Sequence, residues 1–379
     1  MKILFLAAGS AATVYGMTPL ATAARSAGHQ VIMAAPRNVL PDIAAMGLTP
    51  FSVTSTPIPH FRTKDRAGNP VTVPDNPVEG RLFTGGWFGR LAAASMDPLL
   101  GLAEDWRPDL VVGGTLTYAA PLLAHRLGVP YVRQTWDGKD FDGIDPGATA
   151  ELRPELAHLG LDALPEPQLL VDVTPPSLRH THALPAQPMR WTPVNQQREP
   201  EPWMLRRGER RRVVVTGGSR GLNLEFLRDV VGKVGALGVE VVVAAPEELA
   251  AKLRAEADGI RAGWIPLDVV APTSDLIVHH SGGVTSLTAL HFGVPQLSVM
   301  ENRDNASHGA ALDRIADFGA GLSLQPHERT AERIGAACEQ LLGDPSSTTR
   351  AQAIAAEMAT MPPPSTVLGL LEELVARTA

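Results

Sequence analysis

His279-His280-Ser281-Gly282-Gly283-Val284-Thr285 brings imidazole, hydroxyl and glycine together in one short stretch. The apolar run Asp275-Leu-Ile-Val-His leads into it and Ser286-Leu-Thr-Ala-Leu-His-Phe follows, a pattern that predicts strand, tight glycine turn and helix. At such a junction glycines let the backbone come close to a ligand. The first unpaired N–H groups and the positive dipole end of the helix favour an anion. Ser281, Thr285 and an imidazole add side-chain donors, so phosphate or pyrophosphate is the guest that suits this chemistry. The competing reading is a strand-to-helix turn holding two buried, hydrogen-bonded histidines.

Other residues of interest fall at similar junctions. Gly217-Gly-Ser219-Arg220 and Gly9-Ser10 each end a strand that opens one half of the chain. Neither is a Walker A loop or a G-x-G-x-x-G fingerprint, and their value lies in position. Trp264, just past a strand end in a half poor in aromatics, offers a flat face to a nucleobase or is a core residue. Asp304-Asn305 either binds sugar hydroxyls or caps a helix. The acidic run Asp137-Gly-Lys-Asp140-Phe-Asp142-Gly-Ile-Asp145 fails the calcium-loop test, because Ile144 and Asp145 stand where a ligand and a glycine are needed. Most of its carboxylates read as solvated loop residues. Asp137 differs: it directly follows Gln134-Thr-Trp136 at a strand's end, where a partly desolvated carboxylate can take a proton from a weak acid such as a phenol.

The elements that must position these groups alternate. Residues 2–8 and Gln30–Ala35 read as parallel strands around a helix at 17–27 that closes at Gly28, with further strands at 109–114 and 130–134 around the helix Tyr118–Leu127. Thr56–Gly80 is irregular and is followed by the aromatic segment Phe83-Thr-Gly-Gly-Trp87-Phe88. All but six of the eighteen aromatic residues lie at or before Phe141, which gives the first half material for an apolar pocket; His60, Phe61, Phe83, Trp87, Phe88, Met96, Tyr118 and Trp136 are its candidate lining. A Pro-, Gln-, Arg- and Glu-rich stretch at 193–212 reads as a linker. Strands then resume at 212–216, 239–244, 261–264, 275–279 and 296–300, with helices at 223–236, 247–255 and 305–317. Two α/β halves of this kind bind ligands at the carboxyl ends of their strands.

Composition sets bounds. A length of 379 residues suffices for two ordinary domains, and 44% apolar with 19% charged residues describes a soluble globular chain. A net charge of −7 argues against nucleic-acid or anionic-membrane partners, and no apolar run reaches the length of a membrane span. Met1–Ala8 reads as a buried strand rather than a signal peptide. Cys338 is the sole cysteine, so neither an internal disulfide nor a thiolate-rich zinc site can form, and a cytoplasmic location is expected.

Gly263-Trp-Ile-Pro-Leu-Asp, His279-His-Ser-Gly-Gly-Val-Thr-Ser, Gly293-Val-Pro-Gln, Asp304-Asn305 and Gly319-Ala-Gly together resemble the donor half of GT-B glycosyltransferases that decorate bacterial natural products. Ser10, Pro19-Leu20 and Ala27-Gly-His-Gln-Val resemble the family's opening. The resemblance implies an α/β GT-B fold of two Rossmann-like domains facing each other across a cleft. The expected divisions are an acceptor domain at 1–195, a linker at 196–211, a donor domain at 212–361 and a helix at 362–379 packing back on the first domain.

It also implies inverting, metal-independent transfer from a nucleotide sugar. Trp264 would stack near the base, His280, Ser281, Gly282, Gly283 and Val284 would hold the pyrophosphate, Ser10 and Ser219 would reach the phosphates, and Asp304 with Asn305 the sugar. Thr13 stands where the family's oxygen-glycosylating members carry a catalytic histidine. Arg133-Gln-Thr-Trp-Asp137 and Arg81-Leu-Phe-Thr-Gly-Gly-Trp-Phe resemble the urdamycin-type olivosyltransferases, which join D-olivose through carbon to aromatic polyketides. That closer likeness implies a TDP-deoxysugar donor, an aromatic polyketide acceptor and Asp137 as the group that activates it, in a monomer or homodimer. An O-glycosyltransferase using Asp137 and a non-catalytic, nucleotide-sugar-binding homologue are the alternatives.

Overall fold

The computed structural model describes residues 1–138, 141, 143–218, 224–256, 260–300 and 306–378, leaving aside the side chains of 306–309. Ser219, Asp304 and Asn305 lie outside the described residues. The chain folds into two units: Met1–Thr174 with Thr181–Arg190 and Pro362–Ala379, and Pro175–His180 with Trp191–Met361.

In the first unit, strands β1 (Lys2–Leu6), β2 (Gln30–Ala35), β3 (Thr49–Ser52), β4 (Leu110–Gly114), β5 (Tyr131–Gln134), β6 (Leu169–Asp172) and β7 (Gln187–Pro188) form a parallel sheet in the order β3-β2-β1-β4-β5-β6-β7. The near-continuous apolar sequences of β1, β2 and β4 fit a sheet covered on both faces, and β4 and β5 are buried throughout. The strand order reverses between β1 and β4. Such a switch point opens a crevice beyond the carboxyl ends of the strands, because the two connections leave on opposite sides.

The second unit repeats the logic with β8 (Arg212–Thr216), β9 (Glu240–Ala244), β10 (Arg261–Gly263), β11 (Leu276–His279), β12 (Gln296–Val299) and β13 (Gly321–Leu324), in the order β10-β9-β8-β11-β12-β13. Its reversal lies between β8 and β11, paired in parallel with Thr216 opposite His279. The glycine turns after these two strands therefore meet at one crevice.

Three elements differ from the sequence expectation. The helix expected at 17–27 spans Ala11–Ser26, running through Gly16 and Pro19; Gly28 then closes it with φ +89°. The region Thr56–Gly80, read as irregular, holds the helix Ile58–Thr63 and the start of a long helix, Pro77–Asp105, which carries Phe83–Phe88 and is begun by Asn76, whose side chain accepts from the N–H groups of Val78 and Glu79. Gly85 and Gly89 of this helix lie where the helix Asp145–Glu151 crosses it. A β-carbon at Gly85 would lie 2.0 Å from the carbonyl oxygen of Ile144, and one at Gly147 would lie 1.9 Å from that of Leu82. The stretch 196–211, expected as the interdomain linker, groups with the second unit. There the turn Pro202–Leu205 buries Met204 among Val214, Val242 and Ile277, and Arg212 donates to the Trp203 carbonyl at 3.0 Å.

The last helix, Pro364–Thr378, groups with the first unit and is tied to it by His29 and Glu372, whose side chains meet at 2.8 Å. No helix among the described residues is long and apolar enough to cross a membrane.

The helix crossing makes a prediction about stability. Gly147→Ala, whose added carbon meets backbone that cannot rotate away, is expected to lower unfolding free energy by about 1–3 kcal/mol. Gly101→Ala, in the same long helix with open space around it, is expected to raise it by about 0.5–1 kcal/mol. Urea midpoints of the two variants, read against the parent chain, check the opposite signs.

Candidate active site

At the second switch point the chain passes from β11 through His280 and Ser281 to Gly282, the N-cap of the helix Gly283–His291. Ser281 has φ 67°, the only positive φ at a non-glycine among the described residues. An L side chain in that region costs on the order of 1 kcal/mol, and such strain concentrates at ligand sites. The Ser281 hydroxyl is buried against that of Ser298 at 3.4 Å, and Ser298 donates to Ser323 at 3.3 Å, so a row of hydroxyls crosses the sheet ends beneath the turn.

His280 is half-buried between two glycines. A β-carbon at Gly218, which has φ +64°, would lie 2.4 Å from its Cε1, and one at Gly282 would lie 2.8 Å from the same atom. Both glycine turns thus close on one imidazole, which no larger residue at either position permits. The helix that follows has no side-chain cap and no acidic residue in its first turn. Its positive end is left for an anion.

The neighbouring histidine does different work. His279 is fully buried, its Nε2 2.7 Å from Gln296 Oε1, which also accepts from Ser286 Oγ at 2.7 Å. An amide oxygen only accepts, so Nε2 carries the proton. Burial pushes the imidazole down to about 4, so it is neutral at ordinary pH. The expectation of hydrogen-bonded core histidines holds for His279, and the close glycine approaches belong to His280.

Trp264 is half-buried with its edge fixed: Nε1 donates to the Gln196 carbonyl at 3.0 Å, and Arg198 donates to the carbonyl of Trp264 at 3.0 Å.

In the first unit, β5 runs out into Trp136 and Asp137. Trp136 fills the room left by two glycines: β-carbons at Gly114 and Gly16 would lie 2.4 Å from its Cε3 and 2.6 Å from its Cβ. Gln134 Nε2 donates to the Gly16 carbonyl at 2.8 Å and Trp136 N–H to Thr115 Oγ1 at 3.3 Å. The strand end is therefore fixed against both the first helix and the turn after β4. Asp137 comes next with only 5% of its surface exposed, so it is no solvated loop carboxylate. Thr13 is buried, and its hydroxyl is taken up by the carbonyls of Ala8 at 3.0 Å and Ser10 at 2.7 Å. Ser10 itself is the N-cap of that first helix, without a side-chain cap bond.

The candidate acceptor residues separate into two groups. Tyr118 and Trp136 belong to the first unit's core, exposed by 3% and 6%, and Phe88 and Met96 pack against that core. Phe61 is buried too, while Phe83 and Trp87 are half-buried and His60 is exposed. Trp87 stacks on Phe88 with centroids 3.6 Å apart, and His60 meets Phe61 edge-on at 5.9 Å.

Asp145, read from the sequence as solvated, is instead paired with the buried Arg133 at 2.7 Å and accepts from Tyr118 Oη at 2.7 Å. Sequence reasoning missed this pair. A lone basic residue inside an apolar strand was the available signal, since a buried cation requires a partner.

The buried His279 predicts a pH effect. Its folded pKa lies below the ordinary 6.5, so its contribution to stability is complete above that value. It is lost as pH falls from 6.5 toward 4, where the unfolded chain takes up a proton that the folded chain refuses. Urea unfolding at pH 7 and pH 5 is expected to show about 2 kcal/mol more loss in the parent chain than in His279→Gln, which keeps the donor to Gln296 without a titrating ring. Equal slopes would contradict the buried neutral imidazole.

Comparison with known proteins gives this geometry a context. Residues 81–218 match the erythromycin biosynthesis protein CIII-like N-terminal domain and residues 228–374 its C-terminal domain. The L-demethylnoviosyl transferase of Streptomyces niveus is 34% identical over 380 residues, which cover 97% of this chain and 96% of that protein. The crystal structure of the Streptomyces sp. SF2575 glycosyltransferase SsfS6 with thymidine diphosphate superposes with a TM-score of 0.89 at 34% identity, covering 98% of this chain and 99% of the other. The spinosyn rhamnosyltransferase SpnG with spinosyn aglycone gives 0.85 at 26%, covering 98% and 100%. The chain belongs to the erythromycin biosynthesis protein CIII-like family of GT-B glycosyltransferases.

Proposed function

We propose that this glycosyltransferase moves a deoxysugar, D-olivose by its sequence likeness, from a TDP-sugar to a ring carbon of an aromatic polyketide, with inversion and without a metal. The observation that carries the reading is the contrast between two buried positions of the first unit. Asp137 is a buried carboxylate at the end of β5, while the hydroxyl of Thr13 is hydrogen-bonded to main chain and has no basicity to offer. Relatives bound to thymidine diphosphate and to an aglycone support the substrate classes.

In this mechanism Asp137 takes the proton of a phenol on the acceptor. The phenolate places negative charge on its ortho carbon, which attacks the anomeric carbon from the face opposite the leaving diphosphate. The new C–C bond forms as the C–O bond to TDP breaks; the ring proton then leaves to solvent, which restores aromaticity, and the phenolate takes back the proton held by Asp137. Carbon attack depends on orientation more than on base strength. Charge grows on the diphosphate as the bond breaks. His280, Ser281 and the N–H groups of Gly283 and Val284, with Ser10 and Ser219, would act there, where stabilisation lowers the barrier. Trp264 would stack on the thymine, and Asp304 and Asn305 would receive the sugar hydroxyls.

Incubation with TDP-D-olivose and a phenolic polyketide is expected to give a product whose anomeric carbon is bonded to a ring carbon by NMR. An acid-labile O-glycoside as sole product would contradict C-transfer, and TDP binding with no product from any acceptor would contradict catalysis. Asp137→Asn is expected to lower kcat by about 100-fold or more with TDP affinity unchanged. His280→Ala is expected to weaken TDP binding by about tenfold or more, as loss of a charge-assisted hydrogen bond does. Calorimetry and initial rates separate the two.

A further inference from the structure

Arg133 lies four residues before Asp137 and has no part in the chemistry just described. Its guanidinium is nonetheless buried and heavily bonded. Nε donates to the Thr115 carbonyl at 2.9 Å, where Nη2 also donates. Nη1 and Nη2 grip the two oxygens of Asp145 at 2.7 and 2.8 Å. Asp145 Oδ1 also accepts from Tyr118 Oη at 2.7 Å, and the Phe141 ring lies 3.9 Å from the guanidinium carbon.

These partners sit at junctions. Thr115 begins the turn after β4 and its hydroxyl receives the N–H of Trp136 at 3.3 Å. Tyr118 is the N-cap of the helix Ala119–Leu127, and Asp145 opens the helix whose Gly147 meets Leu82 on the aromatic-bearing long helix. One guanidinium thus joins the strand that carries Asp137, the turn beside it and the far end of the loop that leaves Asp137.

We propose that Arg133, Asp145 and Tyr118 form a clamp that positions Asp137 and the acceptor-side helix against each other, governing acceptor orientation without touching substrate. The proposal rests on Asp137 being the group that activates the acceptor. It reassigns Tyr118 from lining an acceptor pocket to positioning. Burial and then the Asp145 charge hold the Tyr118 phenol well above its ordinary value, so it stays protonated and remains a donor. Burial is the largest single influence and opposes charge on Arg133, but the Asp145 hydrogen bonds and the surrounding Tyr131, Asp145 and Tyr118 together outweigh it and keep the cation.

A plain structural ion pair is the alternative, because breaking a buried pair destabilises a fold whatever the site does. Tyr118→Phe separates the two, since it keeps the ring and removes one donor. Tyr118→Phe and Asp145→Asn are compared with Asp137→Asn by kcat, acceptor KM, TDP affinity and thermal midpoint. The clamp predicts that Tyr118→Phe lowers kcat/KM for the acceptor by about tenfold, with TDP affinity within about twofold and the thermal midpoint within a few degrees. Asp145→Asn is expected to go further in the same direction, and Arg133→Lys, which cannot grip two oxygens at once, not to substitute for arginine.

If Asp137→Asn is inactive while Tyr118→Phe keeps its acceptor kinetics, the clamp is overturned and the base stands. If acceptor and TDP parameters fall together in proportion to lost folded protein, the role is structural and the clamp is overturned too. Full turnover by Asp137→Asn would overturn the base and, with it, what the clamp is said to hold. Should Asp145→Asn fail to fold, Tyr118→Phe alone decides.

Discussion

Where two parallel strands diverge at a switch point, the backbone of the turns beyond them has to come within contact distance of whatever fills the crevice. Everything chemical in this molecule depends on that constraint. Beyond β8 and β11 the filling group is the imidazole of His280, with Gly218 and Gly282 against it. At the β1/β4 switch point it is the indole of Trp136, brought in beyond β5, with Gly114 of β4 and Gly16 of the helix after β1 against it. Each unit uses the same device: glycine lets a functional or wedge side chain sit at the sheet's carboxyl edge, and that side chain fixes the next residues of the chain.

The two edges are tuned electrostatically in opposite ways. At the carboxyl edge of the second unit's sheet stand an uncapped helix end and the half-buried His280, while the buried His279 is kept neutral, so its burial carries no uncompensated charge. A net charge of −7 makes a local positive end the natural place for an anion on this chain. At the carboxyl edge of the first unit's sheet Arg133 is buried and Asp145 half-buried, and the two satisfy one another close to Asp137 in sequence. A low-dielectric setting with fixed dipoles is the condition under which a carboxylate and a phosphate site can lower a barrier without reorganising.

Much of this was legible from sequence because parallel strands announce themselves as short apolar runs ended by glycine. Gln30–Ala35 and Arg212–Thr216 follow the expected bounds, and the switch-point turns fall where the motifs lie. The long helix Pro77–Asp105 was hidden by its own glycines, which serve a close helix crossing rather than a break. Asp145 was hidden in a run of carboxylates, since only the fold brings Arg133 beneath it. Which of two adjacent histidines is buried could not be read from spacing, because consecutive residues at a strand end point to opposite faces and only the fold decides which face is covered. The GT-B family and two Rossmann-like units follow from motifs taken together, whereas carbon as the acceptor atom hangs on a threonine and an aspartate.

The central claim is that the turn between β11 and the helix Gly283–His291 is where the diphosphate is held. Backbone amide NMR during a titration with thymidine diphosphate tests it most directly. The account predicts that the Gly283 and Val284 resonances, with that of Ser281, move furthest and saturate together. Saturation with those three unmoved and the large shifts elsewhere in the chain would contradict it.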